Sequence, residues 1–255
     1  MNPTGRFSNR VGFYTRYRPG YPQAALDVLS NVLHLDSHVA DIGSGTGISS
    51  RWLLQRVATV YAIEPNREMR EAAEPAPGLI QINGTAESTG LPESSVDAVV
   101  CATAFHWFRG EEARREFLRI LKPGGVVVLL WNIRKNRASE FQQGYEDLIA
   151  EFAKDYKPEA DHESSTSVKQ FFGEVPFQSA AVPNQQILDW EGLLGRAHSA
   201  SYIPLPGDER YEEFRDRLLA LFDATQQNGV IRFEYETTIY WASLAETSEP
   251  SLRPS

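Results

Sequence analysis

The chain has a single cysteine among its 255 residues. Cys101 therefore has no partner within the chain for a disulfide, and its place in an apolar run predicts a buried structural thiol in a reducing compartment. Long apolar runs are missing too: none nears the roughly 18 residues of a membrane-spanning helix. No basic-then-apolar leader opens the chain. Together these absences predict a soluble, cytoplasmic protein. Positive charge is also scarce, with 25 Lys and Arg against 34 Asp and Glu, a net charge of −9 and an isoelectric point near 5.2. That balance disfavours a nucleic-acid partner, since affinity for phosphate backbones comes from clustered cations. The five histidines, His34, His38, His106, His162 and His198, fall in no zinc-ligand spacing, so no metal is expected. There is no internal repeat, heptad pattern or low-complexity segment.

What the chain does have is Val39-Ala40-Asp41-Ile42-Gly43-Ser44-Gly45-Thr46-Gly47. A β-branched and apolar run reaches an acid, then three glycines at alternate positions, then the helical spacing of Ile48 to Val57. This predicts a strand, a tight turn and a helix. Residues without Cβ can take φ > 0 and let a ligand lie against the main chain, while the helix that follows aims unpaired N–H groups at the same place. Any βα turn can carry glycine, so the next strand matters. Thr59 to Ile63 is β-rich and ends in Glu64-Pro65, seventeen residues past Gly47, where the acid of a nucleotide-binding βαβ unit accepts hydrogen bonds from the ribose hydroxyls. The spacing G-x-G-x-G, with Ile48 where a dinucleotide enzyme would have its last glycine, argues against a pyrophosphate. Asp41 argues the same way, because a carboxylate repels phosphates and attracts an amino group. A nucleoside that carries an amino acid fits this polarity.

With these residues in place, Asp41 to Gly47 and Glu64 resemble the first two motifs of the class I S-adenosylmethionine-dependent methyltransferases. Asn83-Gly84-Thr85-Ala86-Glu87 with Leu91-Pro92 is similar to the segment that borders the adenine in that family. Val96 to Phe108 resembles the fourth strand and its exit, and Leu118 to Val126 resembles the helix, turn and fifth strand. The likeness spans about Val39 to Asn132 and is closest to the small-molecule branch, methyltransferase type 11, in the style of the quinone-biosynthesis and trans-aconitate enzymes. Thr85 departs from the pattern, because many relatives have Asp there; a hydroxyl accepts a hydrogen bond from the adenine amino group more weakly than a carboxylate does.

The resemblance implies a doubly wound, Rossmann-like α/β sheet of seven strands with an antiparallel last strand, and a helical cap inserted after strand five. In one domain, it sets the core at about 23–132 and 177–242, an N-terminal cover at 1–22 and the cap at about 133–176. It implies S-adenosylmethionine as cofactor, S-adenosylhomocysteine as product, and in-line methyl transfer to O, C or N of a small molecule. The cofactor would be held by Asp41, Gly43, Ser44, Gly45, Gly47, Glu64, Pro65, Thr85, Ala86, Glu87, Ala104 and Phe105. The acceptor would meet Tyr14, Arg18, Trp107, Trp131 and Tyr202, with His106 as the one candidate for a direct chemical role. Residues past Asn132 lie outside the motifs; periodicity there predicts helices over 140–156 and 208–226, the latter capped by Asp208, and an alternating final strand over 231–242 that pairs beside strand five. Two rival readings are a SAM-binding scaffold without turnover and a nicotinamide oxidoreductase, although neither G-x-G-x-x-G nor a Tyr-x-x-x-Lys pair is present.

Overall fold

The computed structural model describes residues 10–153 and 165–244. Seven strands form one sheet in the order β3-β2-β1-β4-β5-β7-β6. These are β1 (His38–Ile42), β2 (Thr59–Ile63), β3 (Leu79–Ile82), β4 (Val96–Ala102), β5 (Leu121–Arg134), β6 (Gln178–Leu188) and β7 (Ile231–Ser243). The first five are parallel, and β7 runs antiparallel between β5 and β6. Strand order reverses between β1 and β4. In open α/β sheets the crevice beyond the carboxyl ends at such a switch is where ligands bind, so the glycine turn after β1 sits at the fold's natural site.

Val99 and Val100 of β4 are fully buried although they face opposite ways, as expected where helices cover both sides of a parallel sheet. One face packs Leu26, Leu29, Trp52 and Leu53 of α2 (Gln23–Val28), the turn after it and α3 (Ile48–Leu53). The other face packs Cys101, Val127 and Leu129 against α5 (Gly110–Ile120) and α7 (Ser165–Phe172). Between β2 and β3 lies α4 (Arg67–Ala72), capped as its sequence suggests: the Asn66 side chain accepts from the Met69 amide at 2.9 Å.

A second apolar cluster stands beyond the sheet's edge. It joins α6 (Glu140–Phe152), α8 (Trp190–His198) and α9 (Tyr211–Thr225) to Ile231, Phe233 and Tyr235 of β7. The foundation is the long pairing of β5 with β7, from Val126–Ser243 to Arg134–Tyr235. This overhang carries β5 on to Arg134, past the end of its parallel pairing with β4 at Leu130. This cluster draws helices from both sides of β6 and so reaches beyond the 133–176 expected for a cap, whereas Val168, Phe171 and Phe172 of α7 pack on the sheet itself. Helix α6 ends at Phe152, and the predicted residues 154–156 lie outside the described ones. Asp208 does not cap α9: its carboxylate accepts from the Leu205 amide at 2.7 Å, tying off the turn before the helix, which starts at Tyr211.

Among the described residues, the N-terminal segment expected to form a cover starts with a helix, α1 (Val11–Tyr17), which Pro19 and Pro22 keep from continuing. It leans on α8. The rings of Phe13 and His198 meet edge-on at 4.9 Å, and a Cβ on Gly195 would stand 2.3 Å from the Tyr17 ring, so only glycine permits this approach.

Candidate functional site

Three features of the turn after β1 follow from its glycines. Gly43, Gly45 and Gly47 have φ of 70°, 55° and 77°, a region side chains with Cβ rarely adopt. The amides of Gly43 and Ser44 both donate to the Ile63 carbonyl, at 2.9 and 3.1 Å. A Cβ on Gly43 would approach that of Ala104 to 2.7 Å, so this glycine lets the exits of β1 and β4 close on each other.

Two carboxylates flank the turn. Glu64 at the end of β2 accepts from the Gly45 amide at 3.0 Å and, through its other oxygen, from the Asn66 amide at 2.8 Å. Burial raises its pKa, against the pull of those two amides and of Arg70. Asp41 is fully buried. Its Oδ2 accepts from Ser49 at 2.7 Å and Ser50 at 2.5 Å, and its Oδ1 has no hydrogen-bond partner among the described residues. Burial lifts its pKa to about 6, with the two serines opposing and Glu64 adding to the rise. A buried acceptor left open is costly unless a ligand supplies the donor, and the chemistry that suits it is a cationic amine.

A cleft enclosing about 500 Å³, open mouth included, lies in front of this turn. Its walls are Gly43 and Ser44, Tyr14, Arg18 and Tyr21 from the N-terminal cover, Thr103 after β4, Asn132 of β5 and Arg196 of α8. Of the predicted acceptor contacts, Tyr14 and Arg18 line it, with the Arg18 guanidinium 4.9 Å from the centre of the Tyr14 ring. Trp131, Trp107 and Tyr202 do not, and neither does Phe105, expected at the cofactor, or His106, the candidate for a chemical role. Strand alternation accounts for Trp131: it shares a face with Val127 and Leu129 and sits among the rings of Phe105 and Tyr240, at 6.4 and 6.3 Å. The next residue, Asn132, turns the other way, into the cleft. Phe105 is likewise a core ring, 4.9 Å from Phe171, and Ala104 packs under Gly43. Trp107 is 39% exposed and lies 4.8 Å from the His106 ring. Tyr202 Oη accepts from Arg134 at 3.2 Å, on the cap side.

At the exit of β3, Thr85 and Ser88 exchange backbone hydrogen bonds around buried Ala86. Glu87 accepts from the Arg109 amide at 2.9 Å, which ties this turn to the start of α5. Pro65 separates Glu64 from the Asn66 cap. Sequence reasoning missed Thr103 and Arg196. An arginine between Leu193, Leu194 and Ala197 in a short helix is a readable signal for the second, and it is 1% exposed with its Nε donating to Tyr235 Oη at 3.0 Å. For Thr103 no sequence signal existed.

Residues 40–129 match the model of a methyltransferase-domain family. An uncharacterised methyltransferase of Mycobacterium tuberculosis is 40% identical over 132 residues, 51% of this chain and 54% of that protein, so the match spans about half of the relative. An uncharacterised methyltransferase-like protein of Schizosaccharomyces pombe is 27% identical over 244 residues, covering 92% of this chain and 93% of that one. Among solved structures, a protein of Anaeromyxobacter dehalogenans described as a type II methyltransferase aligns with a TM-score of 0.69 at 23% identity, over 90% of this chain and 99% of that chain. A protein of Anabaena variabilis described as a methyltransferase from an antibiotic biosynthesis pathway aligns at 0.59 and 25% identity, over the same shares of both chains. With the strand order and the glycine turn of its own sheet, these matches identify residues 40–129 as similar to a methyltransferase domain and the sheet as the Rossmann-like methyltransferase fold.

Proposed function

We propose that the chain transfers a methyl group from S-adenosylmethionine to a small-molecule acceptor. The observation that carries this reading is the open oxygen of buried Asp41 behind a turn of three left-handed glycines, an acceptor suited to the amino group of an amino-acid nucleoside. Glu64 would take the ribose hydroxyls, and the backbone from Gly43 to Gly47 would lie against the ligand. The turn from Thr85 to Glu87 would border the base, with exposed Thr85 as the available acceptor. When bound, the cofactor supplies an electrophilic methyl on a sulfonium. The chain's part is then to hold a nucleophile in line, and orientation of that kind is worth about 7–11 kcal/mol of barrier. No strong base is needed for an acidic carbon, a carboxylate or a phenol, which agrees with a cleft that has no His–Asp or Cys–His pair among its lining residues. The acidic net charge and the roof formed by α1 and α8 favour a small acceptor over a polymer.

A calorimetric titration with S-adenosylhomocysteine, run beside NAD and NADP, tests the reading. Micromolar binding of the first alone is the expected result. Heat with a nicotinamide only, or with nothing, would overturn it in favour of an oxidoreductase or a degenerate scaffold. The affinity should also fall with pH. Asp41 accepts an ammonium only when ionised, and its pKa is about 6, so binding at pH 5 should be roughly tenfold weaker than at pH 7, as a group protonated one unit below its pKa requires. Asp41→Asn should bind weakly at both pH values and lose the dependence. A wild-type affinity that stays flat from pH 7 to 5 would remove Asp41 from the amino-group site.

A further inference from the structure

Thr103 has φ of 56°. A β-branched residue rarely takes this left-handed conformation, and such outliers survive only where their surroundings over-determine them. The other non-glycine residues of positive φ among those described, Ser94 and Asn228, are exposed residues in turns. Thr103 is half-buried, at the exit of β4, in the wall of the cleft. Its amide donates to the Leu130 carbonyl at 2.7 Å, and its hydroxyl lies 3.0 Å from Tyr21 Oη.

Tyr21 is held with equal care. The carbonyl of Gly20, one residue before it, accepts from the side-chain amides of Asn132 at 3.1 Å and Asn184 at 2.8 Å. One residue after it, the Pro22 carbonyl accepts from Trp52 Nε1 at 3.3 Å. The phenol ring itself packs on Trp52 at 5.2 Å. Side chains from β5, β6 and α3 thus converge on one loop, and the outcome is the placement of one hydroxyl against another in the cleft. Burial raises the phenol's pKa far above its ordinary value, so Tyr21 acts as a neutral oxygen. The bond between the two hydroxyls uses one hydrogen and one lone pair. Among the described residues neither oxygen has a second partner, which leaves three lone pairs and one hydrogen at a wall shared with Gly43, Ser44 and Asn132.

We infer that Tyr21 Oη and Thr103 Oγ1 form a paired-oxygen site for the positively charged sulfonium and its methyl group, and that this wall distinguishes S-adenosylmethionine from the neutral S-adenosylhomocysteine. The inference rests on the cofactor reading above. A sulfonium polarises the C–H bonds of its methyl, which makes C–H···O contacts and charge–dipole attraction available to the cation. The thioether of the product offers neither, so the same wall would loosen its hold after transfer.

The test needs no acceptor. The full chain and the variants Tyr21→Phe, Thr103→Val and Thr103→Ser are titrated by calorimetry with S-adenosylmethionine and, separately, with S-adenosylhomocysteine. Phenylalanine keeps the ring on Trp52, and valine keeps the shape of threonine, so both are expected to fold. Tyr21→Phe and Thr103→Val should each weaken S-adenosylmethionine roughly three- to tenfold, the size of one or two weak polar contacts, and leave S-adenosylhomocysteine within about twofold. Thr103→Ser, which restores the hydroxyl, should return the wild-type ratio. Equal loss for both ligands, or no loss for either, overturns the paired-oxygen site and leaves the cofactor reading standing. A wild-type protein that binds neither ligand overturns both.

Discussion

Glu64→Ala is expected to weaken S-adenosylhomocysteine by about 1.5–3 kcal/mol, the scale for a charged hydrogen-bond partner, or roughly ten- to 150-fold in Kd. The argument begins at the strand. Glu64 follows Ile63 at the carboxyl end of β2, beside β1 in parallel register with Ile42 opposite Ile63, so its carboxylate emerges level with the glycine turn. One oxygen holds the Gly45 amide and the other the Asn66 amide, which fixes the side chain before any ligand arrives. A carboxylate has about four lone-pair sites, so two amides leave room for the ribose hydroxyls. The same two bonds mean that alanine also unties the turn, and a lower Tm is expected alongside the weaker binding. Glu64→Gln separates the effects. It keeps an oxygen for one amide while losing the charge, so its Tm should stay nearer the wild type than that of alanine, and its affinity should fall between the two. A loss of binding below a few tenths of a kcal/mol in Glu64→Ala would count against the ribose role.

Glu64 and Asp41 were legible in the sequence because their positions depend on local rules: a strand ends, a tight turn requires glycine, and an acid stands at a fixed distance along the chain. The doubly wound sheet and its antiparallel last strand were what the resemblance of those motifs implied, and the alternation of residues 231–242 marked where that strand lies. The acceptor side was less legible, for a physical reason. Trp107 and Trp131, like Phe105 on the cofactor side, are singled out by residue type and by nearness to strand ends, yet the direction of a side chain depends on the pleat. Trp131 shares the core face with Val127 and Leu129, so Asn132 reaches the cleft. The exit Trp131-Asn132 as a whole is readable as a wall of the crevice, and period-two reasoning from Val127 selects Asn132 over Trp131. Arg196 and Tyr14 meet across the cleft from segments about 180 residues apart in the chain, and no local pattern specifies such a meeting. Thr103 shows the limit most plainly: its left-handed backbone opposes threonine's own preference, and its bonds to the Leu130 carbonyl and the Tyr21 hydroxyl come from distant parts of the chain.

Arg10→Ala is expected to cost about 3 kcal/mol, in the range of a buried, charged hydrogen-bond network that loses its donor. At roughly 2–4 °C per kcal/mol for a chain of this size, Tm should drop by roughly 6–12 °C. Arg10 is 7% exposed, and its guanidinium donates to the carbonyls of His198 at 2.8 Å, Ala200 at 2.7 Å and Ile203 at 2.6 Å. These lie at and just past the C-terminus of α8, where carbonyls lack helical partners and the macrodipole is negative. Helix α1 has seven residues, none of them buried, too short and too exposed to persist by itself. Its docking therefore depends on Arg10 and on the Gly195–Tyr17 contact. Because α1 supplies Tyr14 and Arg18 follows it in the cleft wall, the variant should also loosen the site: amide exchange over residues 10–22 should rise more than over β1 or β4, and S-adenosylhomocysteine should bind more weakly. Arg10→Lys should recover only part of the stability, since one ammonium cannot reproduce the planar fork that reaches three separate carbonyls. If Arg10→Ala melts within about 1 °C of the wild type and exchange over 10–22 is unchanged, the cover is held by its aromatic contacts, and Arg10 is not its anchor.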